Sequence, residues 1–128
     1  MRRIVLSIQN GLLGEALTDK LVQSGEFQPI PVAVDRRSRT VAACVACSAE
    51  ILLMEVSLAL GATLEARFQE VAEVRRVLPD CKIVLLCDEL VSPQIAKEVT
   101  QAKKSGRIDA FFYTSVTVKY LAAALFAL

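Results

Sequence analysis

Five short apolar runs, each followed by a stretch with helical spacing, constrain this chain more than any other feature. The runs cover residues 3–7, 27–34, 50–56, 81–87 and 108–114. Each has the length of a buried strand, and the stretches between them read as helices with an apolar stripe. Strict strand–helix alternation implies an α/β fold of three layers, with a parallel sheet covered on both faces.

The helices can be placed from local signals. Leu12, Leu13, Ala16, Leu17 and Leu21 predict the inner face of the first, which the Ser24, Gly25 pair closes. The second, residues 40–49, is built from small apolar residues. In the third, Leu64, Phe68, Val71, Val74 and Leu78 form a stripe opposed by Arg67, Gln69, Glu70, Glu73 and Arg76. The fourth begins at Pro93 after Ser92, buries Ile95, Val99 and Ala102, and ends at Ser105 and Gly106. The fifth, residues 118–128, carries one charge, Lys119, and is otherwise almost wholly apolar. Its unusual apolarity predicts a second cover beyond the sheet.

The second strand contains Pro29 and Pro31. Residues two apart turn their N–H groups to the same side, so the pair removes donors from one side only. That suits an edge strand and would be costly in a central one. The third strand, with Glu50 and Glu55 at its ends, is predicted to be central. Glu55 then lies at the carboxyl edge of the sheet, where open α/β folds place their ligands.

Composition narrows the class. The 128 residues, 54% hydrophobic and 23% charged, fit one globular domain, and the net charge of +1 points to no polyelectrolyte such as nucleic acid. No apolar run reaches the ~20 residues that span a bilayer, and no signal peptide is evident, so a cytoplasmic protein with no membrane contact is expected. The four cysteines are then expected to be free thiols. Cys44 and Cys47 spell CxxC inside an apolar helical run, without histidine or a second pair, and read as small buried hydrophobes. Gly11, Leu12, Leu13 and Gly14 match neither a dinucleotide fingerprint nor a Walker loop, and read as a turn. Metal and cofactor are both expected to be absent.

Three stretches, residues 49–58, 82–87 and 108–116, resemble strands three, four and five of the receiver domain of bacterial response regulators. The order of elements resembles that family along the whole chain. The resemblance implies a flavodoxin-like or CheY-like (βα)5 fold with strand order 2-1-3-4-5, which puts strand two at the edge as the prolines do. It also implies phosphoryl transfer onto an aspartate, with Mg²⁺, a hydroxyl and a lysine as helpers. Here those positions depart from the pattern almost one by one. The acidic pair is replaced by Ile8 and Gln9, the phosphoacceptor by Glu55, the hydroxyl residue by Cys87 and the lysine by Thr114, with Ser115 in place of proline. The aromatic switch position is kept in type as Phe111.

The expectation is therefore a degenerate receiver, not an enzyme, not phosphorylated by the usual Mg²⁺-dependent route. Glu55 is either a fixed charge imitating part of the activated state or a solvated carboxylate. Asp88 and Glu89 are solvated loop acids, or join Glu55 in a new cation site. A homodimer or a protein partner is expected on helix four, strand five and helix five, with Phe111, Val118, Leu121 and Leu125 as its signalling surface. The chain reads as one domain, 1–128, standing alone or opening a longer regulator. The rival reading is a small-molecule sensor or cofactor-binding domain of flavodoxin-like fold.

Overall fold

The computed structural model describes residues 1–34, 39–88 and 92–128. Five strands, β1 (Arg2–Ser7), β2 (Phe27–Val32), β3 (Ile51–Val56), β4 (Lys82–Cys87) and β5 (Ala110–Tyr113), alternate with five helices. These are α1 (Gly11–Ser24), α2 (Thr40–Cys47), α3 (Leu64–Val77), α4 (Pro93–Lys104) and α5 (Val118–Phe126). All strand pairs are parallel and the order is β2-β1-β3-β4-β5.

The prolines sit where the steric argument requires. The Arg2 N–H donates to the Glu26 carbonyl, so even-numbered residues of β2 face β1. Pro29 and Pro31 are odd-numbered, and their missing donors fall on the free side of the edge.

Alternation along the strands makes two cores. Val5, Leu52, Met54, Val56, Ile83, Leu85 and Cys87 meet α2, α3 and α4 on one face. Ile4, Leu6, Ile51, Leu53, Val84 and Leu86 meet α1 and α5 on the other. β3 is buried at all six positions, as a central parallel strand must be.

Four helices begin at a side-chain cap. The side chains of Asn10, Thr63, Ser92 and Thr117 each accept the N–H three residues on. Gly25 ends α1 at φ 73° and Gly106 follows α4 at φ 82°, both left-handed.

Several expectations are corrected. Leu12 is 85% exposed and Ala16 is exposed, because the inner face of α1 runs through Leu13, Leu17 and Leu21. Gly11 to Gly14 form the first turn of α1, not a separate turn. Strand five is shorter than its apolar run. Asp109 precedes it and uses its carboxylate to accept from the Ile83 N–H and from Arg75, both at 2.8 Å. Residues 35–38 and the loop acid Glu89 lie outside the described residues.

Candidate functional site

The carboxyl ends of β1 and β3 are tied together by their own side chains. Glu55, the penultimate residue of β3, is only 7% exposed. Its carboxylate accepts the backbone N–H of Gln9 at 2.6 Å and of Asn10 at 3.1 Å. Asn10 is the N-cap of α1, so the carboxylate lies at the positive end of that helix. The acid is buried and not solvated, and its charge is engaged by the loop after β1.

Arg67 closes the other side. It sits on α3, 1% exposed. Its Nε donates to the Glu55 carbonyl at 2.8 Å. One terminal nitrogen donates to Ser7 Oγ at 2.9 Å and Glu70 Oε1 at 3.2 Å, the other to the Ser7 carbonyl at 3.1 Å. Ser7 Oγ also pairs with Thr40 Oγ1 of α2 at 3.0 Å. Burial lowers the Arg67 guanidinium from its ordinary value; the charge and hydrogen bond of Glu70 chiefly, then Glu55, oppose that. Arginine stays protonated in proteins, so a fixed cation bridges two strand ends and two helices.

Arg67 and Glu70 were assigned to the solvated face of α3, and this is the main functional feature that sequence reading missed. The available signal was spacing. Arg67 lies four residues before Val71 and seven before Val74, on the buried stripe itself.

The other predicted residues are only partly brought together. Gln9 meets Glu55 through its backbone. Ile8 turns away and lines a groove between α1 and β2 with Gly14, Thr18 and Pro31. Cys87 is 2% exposed and packs with Val56 and Val99 beneath the other face of the sheet. Burial pushes its thiol up to about 11. Thr114 is half-buried and donates its backbone N–H to the Cys87 carbonyl at 3.0 Å.

Phe111 packs partly against the α2–α4 core. It meets Tyr113 edge-to-face at 6.2 Å, and Lys103 Nζ lies 5.9 Å from its ring centroid. Leu121 and Leu125 are fully buried against the sheet and are core residues, and Val118 packs partly buried beside them. The exposed side of α5 is formed instead by Lys119, Tyr120, Ala123, Phe126 and Ala127.

Among the described residues, the carboxyl edge offers few ligands to a divalent cation. Mg²⁺ takes oxygen ligands, chiefly carboxylates with water and phosphate. Ile8 and Gln9 bring no charge, and Glu55 is already held by two amides. Among the described residues no group of three or more acids, cysteines or histidines could hold a metal. The four cysteines are free. No helix among the described residues is long and apolar enough to cross a membrane.

The fold is the one seen in solved receiver domains of response regulators. A LuxR-family DNA-binding response regulator from Staphylococcus aureus superposes with a TM-score of 0.76 at 12% identity, over 99% of this chain and 98% of that one. The chemotaxis protein CheY4 of Vibrio cholerae gives 0.73 at 15% identity, over 99% and 98%. The same fold occurs in a structure described as adenylate cyclase from Rhodopirellula baltica, at 0.73 and 18% identity, over 98% of this chain and 85% of that one. At these identities the likeness is one of fold. No protein-family model matches the sequence, and no curated protein matches it significantly.

Proposed function

We propose that this chain is a receiver-like signalling module that works by protein contact, in two-component or transcriptional regulation, and is not phosphorylated by the Mg²⁺-dependent route. The observation that carries this reading is the seating of the Glu55 carboxylate on the Gln9 and Asn10 amides. In a receiver that space serves the metal and the incoming phosphoryl group. Glu55 adds one negative charge there, against about 1.5 to 2 for a phosphoryl group, so it imitates the activated state only in part. Thr114 brings no cation to steady a phosphoryl oxygen. The module carries out no reaction of its own and needs no cofactor.

Contact is assigned to α4, β5 and α5, with a protein partner or a second copy of the chain. Tyr113 and Tyr120 are exposed there by 37% and 59%. Aromatic side chains of this kind are favoured anchors at interfaces. β5 is also an edge strand of only four residues.

One experiment with two readouts tests both parts: incubation with acetyl phosphate and Mg²⁺, followed by intact-mass measurement and sedimentation at micromolar concentration. No acid-labile phosphate is expected, and the sedimentation coefficient with and without donor should be the same. Stoichiometric phosphate on Glu55 would sink the first part. A monomer alone, with no partner supplied, would remove the homodimer.

A further inference from the structure

Helices α1 and α5 lie side by side on one face of the sheet, but small residues at their seam leave a trough. It has a volume of about 360 Å³ and is lined by Leu21, Phe27, Ala122, Ala123 and Phe126, with Lys20 and Lys119 at its rim. Leu21 and Phe27 are buried and form the floor, while Phe126 is 57% exposed and forms a wall. The α2–α4 core and the Glu55 edge take no part in it.

The two charged residues that line this trough, Lys20 and Lys119, are of one sign. On α1 the acids Glu15 and Asp19 line the opposite groove, beside β2. Lys20 alone faces α5, whose single charged residue is Lys119. Both lysines are exposed, and among the described residues neither is in an ion pair. At the end of α5, Arg2 is committed elsewhere: it donates to the Phe126 and Leu128 carbonyls at 3.3 and 3.0 Å and stacks over the Phe27 ring. An apolar channel with two unpaired ammonium groups at its rim is complementary to a molecule with an apolar body and one anionic head. A second copy of the chain seated symmetrically here would set lysine against lysine. The volume holds roughly a dozen groups of about 30 Å³ each, the share of one water in the liquid.

We propose that the α1–α5 trough binds a free medium-chain fatty carboxylate, its tail over Leu21, Phe27, Ala122 and Ala123 and its carboxylate between Lys20 and Lys119. This goes beyond the signalling role proposed above and does not depend on the state of Glu55.

The test is a titration of the whole chain with decanoate below its micelle concentration, followed by backbone NMR. Saturable shifts are expected at Ser24, Ala122 and Ala123, with Gln9, Asn10 and Glu55 unmoved. Decanol should bind at least 10-fold more weakly, as should the doubly substituted Lys20→Glu, Lys119→Glu variant, whose exposed changes leave the core intact. Ala123→Leu should fill the trough and abolish the shifts. No saturable shift at 5 mM decanoate, or equal binding of decanol and decanoate, would overturn the proposal. So would shifts seen only with phosphatidylglycerol vesicles and not with free decanoate.

Discussion

Replacing Arg67 with Met is expected to lower the unfolding free energy by about 3–5 kcal/mol, the range for breaking a buried ion pair from one side. The loss has identifiable parts. Met keeps much of the apolar stem but removes the buried ion pair with Glu70 and strips donors from the Ser7 and Glu55 carbonyls. Buried acceptors without partners are penalised individually. Arg67→Lys should recover only part of the loss, since one ammonium cannot reproduce a planar fork reaching two strands and Glu70. Urea denaturation of the three proteins at neutral pH measures this. A loss under about 1 kcal/mol for Arg67→Met would mean that Arg67 is a surface residue in solution and that the strand ends are held by something else.

Alkaline pH should destabilise the fold through its cysteines. Burial raises Cys44 to about 12, Cys81 to about 11 and Cys87 to about 11. For Cys44 the neighbouring Cys81, Cys47 and Glu70 add to burial; for Cys81, Arg75 opposes it. A thiol in an unfolded chain ionises near 8.5. The native value is the higher one, so the native state keeps protons that the unfolded state has released. The associated stability is complete below about pH 8.5 and is lost as pH rises from there through the native values. Each thiol should contribute a fall of about 1.4 kcal/mol per pH unit across that window. Burial alone shifts Cys87. Cys87→Ala should therefore make the decline between about pH 9 and 11 shallower by one thiol's share. Parallel decline of the two proteins would show that the Cys87 thiol is accessible to water in the native state.

The parts of this architecture that follow from local pattern could be read from the chain, and the parts that depend on distant backbone could not. Pro29 and Pro31 placed β2 at the edge because a missing donor is a property of the residue itself. Apolar runs such as Ile51 to Met54 placed the central strand, since a strand covered on both faces needs apolar side chains at every position. Glu55 was found at the carboxyl edge by the same count. Its hydrogen bonds to Gln9 and Asn10 cross about 45 residues and go to backbone groups, which leave no mark in side-chain sequence.

Arg67 was misplaced for a different reason. Polarity assigned it to solvent, whereas its position on the Val71 and Val74 face assigned it to the core, and position prevailed because four acceptors awaited it there. Leu121 and Leu125 were misread because a nine-residue helix of almost uniform apolarity gives no contrast between its inner and outer faces.

On the function proposed above, Glu55 and Arg67 close the carboxyl edge of β1 and β3 to a metal and a phosphoryl group. The most direct measurement is backbone NMR of the wild-type chain titrated with Mg²⁺ to 20 mM, watching the amides of Gln9, Asn10 and Glu55. No saturable shift is expected at these three, and the Gln9 and Asn10 amide protons should move upfield in Glu55→Gln, where a neutral acceptor replaces the carboxylate. A saturable Mg²⁺ shift centred on Gln9 and Glu55 would contradict this closure.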